Sequence, residues 1–142
     1  MKLYVRLLPI ALGGFFIFAI GLFVAPLFKS ETTAGIKVKV PSLSATAVQG
    51  EVAFNAKCAA CHGKNAAGTK KGPPLVHDIY NPGHHGDEAF FRAAKQGTPQ
   101  HHWRFGNMPP RPGVSDEELA AIVRYIREMQ LANGITFKQH NM

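Results

Sequence analysis

The strongest pattern in the chain is the contrast between its first thirty residues and everything after them. Residues 7–28, LLPIALGGFFIFAIGLFVAPLF, hold no charged side chain, and every Asp and Glu lies at position 31 or later. Wound as a helix, these twenty-two residues reach about 33 Å, enough for a hydrocarbon core of roughly 30 Å. The stretch therefore predicts a membrane-crossing helix. A secretory signal has an apolar region of only about 7–15 residues, and cutting after Ala25 would put Phe23 at the small-residue site and Pro26 beside the cut. Thr32-Thr33-Ala34 is the better context if the segment is removed, but a retained anchor over residues 1–28 is the expectation. Pro9 and Pro26 fall in terminal turns, where a helix tolerates them.

Residues 29–44, KSETTAGIKVKVPSLS, lack helical periodicity and carry Gly, Pro, Ser and Thr, which reads as a flexible linker. Ile36 to Val40 alternates like a strand, but five residues are too few to predict one, so an extended tether is expected. As a flexible coil the linker would span roughly 20–24 Å and let the domain swing.

Three helical stretches follow. The first runs from about Ala45 to Lys57, with Val48, Val52 and Phe54 as its expected apolar side. The second starts near Asp87, the expected N-cap, and ends at Gly97, with Ala89, Phe90, Ala93 and Ala94 on one face. The third is the clearest: Ser115 and Glu118 form a capping box, Leu119, Ile122, Val123, Ile126 and Met129 recur at three and four residues, and Gly134 closes it. The predicted class is all-α, with about three helices and long loops in a domain over residues 45–134, a preceding transmembrane helix and a tail over 135–142. No convincing strand and no repeat is visible. Loops of about 24 and 17 residues are too long for a bare helical domain, so something other than side chains must fill the space between the helices.

The chain has 142 residues and a formal net charge of +7, enough for one domain and an appendage. After residue 40 eleven basic residues face eight acids, an excess of about +3 that is too mild to argue for nucleic acid. Charges on either side of the apolar segment do not settle its orientation: Lys2 and Arg6 precede it, while Lys29, Lys37 and Lys39 follow it.

The only two cysteines stand three apart and are followed directly by histidine, Cys58-Ala59-Ala60-Cys61-His62. The competing readings of this spacing are a redox dithiol, a zinc half-site and a plain disulfide; a redox dithiol would want a βαβ setting and structural zinc a second ligand pair, and neither is visible. Haem attachment is the expectation: two thiols on one turn add to the two vinyl groups at one porphyrin edge, and His62 supplies an axial imidazole to the iron. A sixth ligand should come from another segment, and Met108 in Gly106-Asn107-Met108-Pro109-Pro110 is the candidate, its loop stiffened by proline; gap filling is the ordinary role of such a methionine. A thioether would favour reduced iron. Met129 reads as core.

With these residues in place the region 45–133 resembles a class I cytochrome c, a monohaem protein with histidine and methionine ligands. The resemblance rests on Gly50-x-x-x-Phe54-x-x-x-Cys58, the haem motif, Gly72-Pro73-Pro74-Leu75, Met108 and Tyr125. It implies that Gly50 and Phe54 cross against Tyr125, that the Pro73 carbonyl accepts from the second ring nitrogen of His62, and that Leu75 packs on the porphyrin. Trp103 would sit near the haem, its N–H toward a propionate or simply in the core, and Arg104 could neutralise the same propionate. With the N-terminal segment, the pattern resembles membrane-tethered cytochromes c of bacterial respiratory chains. In such systems haem is attached outside the cytoplasm, so the implied location is the inner membrane, single-pass, with the haem domain facing the periplasm.

The implied function is transfer of single electrons from a quinol-oxidising donor, such as a quinol–cytochrome c reductase, to a terminal oxidase or reductase. The alternative is a permanently bound haem subunit of a membrane dehydrogenase or other oxidoreductase. Neither needs a small-molecule substrate or a catalytic constellation. Lys57, Lys64, Lys70, Lys71, Arg104 and Arg111 lie in the two ligand-bearing segments without an intervening acid, which suggests a basic rim for docking an acidic redox partner. His77, His84, His85, His101 and His102 fall between the ligand segments. Lacking a helical spacing or a carboxylate partner, they read as solvated loop residues, with metal binding or displacement of Met108 as minor alternatives.

Overall fold

The structure, a computed structural model, describes residues 35–139. The expected membrane segment lies outside them, and no helix among the described residues is long and apolar enough to cross a membrane. Among the described residues four helices run in the order α1 (Ala45–Lys57), α2 (Ala59–His62), α3 (Asp87–Gln96) and α4 (Asp116–Ala132), with 3-10 turns at Lys64–Ala66 and Asp78–Tyr80. Among the described residues there is no strand, only an isolated antiparallel bridge between Thr98 and Met108.

α4 forms for the reasons its sequence predicts. Ser115 Oγ accepts from the Glu118 backbone N–H at 3.2 Å and the Glu118 carboxylate accepts from the Ser115 N–H at 2.9 Å, closing the capping box. Leu119, Ile122, Val123, Ile126 and Met129 are all buried. The helix is capped by Asn133, and Gly134 follows at a φ of 78°, the left-handed turn that releases the chain.

α1 has the predicted bounds but a different inner face. It buries Ala47, Gly50 and Phe54, while Val48 is 47% and Val52 67% exposed. Hydrophobicity alone misleads here because backbone proximity chooses the face. A Cβ on Gly50 would stand 1.9 Å from the Ala121 carbonyl oxygen, so α1 and α4 cross where only glycine fits, and the valines are turned away. Around the crossing Phe54 and Tyr125, both fully buried, meet with ring centroids 5.5 Å apart at 50°.

The N-cap of α3 is Gly86, not Asp87, which stands in the first turn and binds Arg127 at 2.8 Å. The predicted linker also differs from residue 35 onward. Ile36 N–H donates to the Ala67 carbonyl at 2.9 Å, and Asn133 clasps both the N–H and the carbonyl of Lys39 at 2.8 Å. Val38 and Leu43 pack against the core, so this stretch lies along the domain as an extended strap. The tail is likewise held: Ile135 packs on the core and the Lys138 ammonium pairs with Asp78 at 2.6 Å. In both segments alternation or sparse apolarity is too short to register as an element, yet the strap supplies two anchor side chains, Val38 and Leu43, the tail one, Ile135, and both supply backbone partners.

Replacing Gly50 by Ala should destabilise the domain by roughly 1–3 kcal/mol through overpacking at the crossing, lowering its melting temperature by about 4–8 °C per kcal/mol. Thermal unfolding of the haem-loaded protein measures this. An unchanged midpoint would show that the helices do not touch at Gly50.

Candidate functional site

α1 does not run straight into the cysteine motif. Cys58 closes it, donating to the Phe54 carbonyl at 2.8 Å, then leaves helical geometry at a φ of −122°, and its own carbonyl accepts from Cys61 and His62 at 3.1 and 3.0 Å. Cys58, Cys61 and His62 are thus arrayed around one tight turn, and no disulfide joins the two thiols. Arg111 braces the joint by donating to the Lys57 carbonyl at 2.8 Å, a cation at a helix C-terminus.

His62 is buried, and its Nδ1 lies 2.9 Å from the Pro73 carbonyl. A carbonyl can only accept, so Nδ1 carries the proton and Nε2 keeps a free lone pair. Burial holds the ring below its usual pKa, opposed by the Pro73 carbonyl and assisted by Arg111, which keeps it a neutral donor. Burial likewise pushes the Cys58 thiol up, with Arg111 acting against it. Pro73 is delivered by a stitched loop: Leu75 N–H donates to the Ala66 carbonyl at 2.8 Å, and Thr69 Oγ1 donates to the Cys61 carbonyl at 2.6 Å.

Met108 is held by its backbone. Thr98 and Met108 exchange hydrogen bonds of 3.0 and 2.9 Å, and Arg111 N–H donates to the Ala94 carbonyl at 2.6 Å. Gly97, at a φ of 76°, permits this approach, since a Cβ there would meet the Met108 carbonyl at 2.6 Å. The flanking prolines were the visible signal of rigidity; the bridge to Thr98 adds to it.

These segments enclose a cleft of about 380 Å³. Phe54, Cys58 and His62 line it from the first two helices, Pro73 and Leu75 from the following loop, Ile122 and Ile126 from α4. Trp103 and Met108 reach it from the long loop before α4. Of the residues singled out in the sequence, Cys61 and Arg104 are exposed and off this wall, whereas Arg92, which was not singled out, contributes to it. A cytochrome c family model matches residues 47–130.

The chain belongs to the cytochrome c family. Comparison with curated proteins and with solved structures returns no match. Family membership carries a covalent haem c with its iron and haem-based electron transfer.

The residues of this cytochrome domain fit that group. The cleft is walled by apolar side chains, carries a neutral imidazole, and has a Cys58 thiol on its surface. The Trp103 Nε1 is a buried donor with no hydrogen-bond partner among the described residues, a situation that costs about 1–3 kcal/mol until an acceptor is supplied. Burial pushes the Tyr80 phenol up to about 12, with Trp103 acting against it.

Sequence reading missed the side chains that hold the long loop in place. Gln130, buried in the apolar stripe of α4, donates to the Leu75 and Tyr80 carbonyls at 2.9 and 3.0 Å. Arg127 donates to the Tyr80 and His85 carbonyls at 2.8 and 2.6 Å and lies over the Phe90 ring. The available signal was a polar residue on an otherwise apolar face.

The native protein should retain its colour after acid and organic extraction and exceed the polypeptide mass by one haem. Mass spectrometry and absorption of the extracted protein check this; haem partitioning into the solvent would contradict covalent attachment.

Proposed function

We propose that this chain is a membrane-tethered class I cytochrome c that carries single electrons between respiratory complexes, with His62 and Met108 as axial ligands of one haem held by Cys58 and Cys61. The observation that carries the reading is that His62 and Met108 wall the same cleft from two distant segments, the first with its tautomer set by Pro73 and the second with its backbone set by Thr98. The bound haem supplies reversible one-electron chemistry at its iron. His62 presents Nε2 as a neutral donor, and Pro73 orients the ring and raises its basicity. Leu75, Phe54, Ile122 and Ile126 exclude water, which limits solvent reorganisation when charge changes. Trp103 offers its unpartnered N–H to a propionate, and Arg92, on the cleft wall, is better placed than Arg104 to offset propionate charge.

A docking rim is supported in reduced form. Lys57 pairs with Glu118 at 2.7 Å and Arg111 is engaged at the end of α1, so neither is available to a partner as the full basic set would require. Lys64, Lys70 and Lys71 are exposed and make no ion pair among the described residues. They favour an acidic redox partner, a quinol–cytochrome c reductase as donor and a terminal oxidase or reductase as acceptor. The tether reading rests on the uncharged residues 7–28: a single-pass anchor in the inner membrane, with the haem domain on the periplasmic side where haem attachment takes place. Of the linker expected over residues 29–44, residues 35–44 lie along the haem domain as the strap.

Met108→Ala should remove the weak long-wavelength charge-transfer band of thioether-ligated ferric haem and lower the reduction potential. Absorption spectroscopy and redox titration measure both. A wild type without the band would transfer the sixth position to another residue.

Mass spectrometry of the native protein should find residues 7–28 still attached and the haem in the membrane fraction. A mature chain starting at Gly35 would instead make it a soluble carrier.

A further inference from the structure

Four histidines that look scattered along the sequence are gathered by the fold into one cluster. The rings of His84 and His85 lie 4.5 Å apart between centroids, His84 and His102 4.9 Å, His85 and His102 5.1 Å, and His101 and His102 4.4 Å. Adjacency within each pair gave no ligand spacing; the spacing arises because the loop before α3 and the loop before the Met108 bridge lie side by side.

We propose that His84, His85 and His102 form a binding site for a borderline divalent transition-metal ion, copper(II) or zinc(II), beside the haem cleft. One ring nitrogen from each lies within 4.8 Å of the others, and the Nε2 atoms of His84 and His102 are 3.0 Å apart. Two nitrogens bound to one ion at about 2.0–2.1 Å, with angles near 90–110°, stand roughly 2.9–3.4 Å apart. One edge of the coordination polyhedron is therefore already at its bonding length, and the third nitrogen needs a small approach. A hydrogen bond between His84 and His102 would also set that edge, but gives no reason for His85 to present a third nitrogen to the same point.

The supporting shell is of the kind that orients metal-bound imidazoles. His85 Nδ1 donates to the Ile79 carbonyl at 2.8 Å, which leaves its Nε2 as the donor to the cluster. The backbone of the pair is fixed by buried Asn81, whose carbonyl accepts from the N–H groups of His84 and His85 at 3.1 and 2.9 Å. Arg127 adds a 2.6 Å bond to the His85 carbonyl. On the other loop, Gln100 N–H donates to Asn107 Oδ1 at 3.0 Å and Gly106 N–H to Gln100 Oε1 at 2.8 Å, closing the turn that carries His102.

The donor set selects the metal. Three imidazoles suit copper and zinc and are a poor match for magnesium or calcium, which take oxygen ligands. The acids of the neighbouring loop are engaged elsewhere, Asp78 with Lys138 and Asp87 with Arg127. His85 and His102 also line the haem cleft, so the ion would sit at its edge, and His102 is exposed enough to admit it.

The test uses the haem-loaded chain in mild detergent, titrated separately with copper(II) and zinc(II) by calorimetry, with electron paramagnetic resonance on the copper form. One ion per chain, nitrogen hyperfine structure, no competition from calcium or magnesium, and at least tenfold weaker binding in His84→Gln and in His102→Gln are expected. His84 lies off the cleft wall, so an unchanged haem spectrum in His84→Gln certifies that the variant is folded. Binding of equal strength in that folded variant, or equal binding of calcium, would reduce the ion to an adventitious one and overturn the site, as would no binding by the wild type. None of these readouts depends on which residues ligate the haem iron.

Discussion

The close crossing of α1 and α4 is the constraint on which the rest of this domain depends. Its core is a single missing side chain: Gly50 lets the Ala121 carbonyl approach to a distance that any Cβ would forbid, and Phe54 and Tyr125 pack around the contact. Because α1 ends directly at Cys58, the crossing also fixes where the cysteine turn begins. Ile122 and Ile126 of α4 face the same cleft as Phe54 and Cys58. Helix packing and the cleft wall are thus one interface, and a shift at Gly50 would be felt in the cleft.

The remaining walls are loops, and loops need partners that regular structure would otherwise provide. Here α4 supplies them from its side chains: Gln130 and Arg127 take the carbonyls of Leu75, Tyr80 and His85. Arg111 does the same for the end of α1. Charged and amide groups placed by a rigid helix therefore substitute for a sheet around Leu75, Tyr80 and His85, which helps a long irregular segment present Pro73 with a defined backbone, whereas Met108 is fixed by its bridge to Thr98. The histidine cluster benefits from the same scaffold, since the carbonyl of His85 is one of Arg127's acceptors.

Burial and charge act together at the cleft. His62 is kept neutral chiefly by desolvation, the state in which an imidazole can offer a lone pair to a metal, while the Trp103 Nε1 is a buried donor without a hydrogen-bond partner among the described residues. A site that carries an unmet donor and an apolar wall is shaped for a large, mostly apolar group with acceptors at its edge, in agreement with the haem that family membership carries.

Local chemistry was legible along the chain: the capping box and apolar stripe of α4, the bounds of α1, the two thiols followed by histidine, and the Gly-Pro-Pro-Leu and Met-Pro-Pro segments all declare themselves within a few residues, because caps, turns and covalent attachment depend on near neighbours. What depended on distant segments was not. Val48 and Val52 are as hydrophobic as a core residue, yet a backbone contact with Ala121 sent them to the surface. The strap over residues 35–44 lacked a pattern long enough to notice, since its partners are Ala67 and Asn133. Lys57 and Arg111 read as free basic residues until Glu118 and the α1 carboxyl end were brought beside them. The histidines became a cluster only when two loops met, for a side chain's neighbours across a fold are set by the path of the backbone and not by its position in the chain.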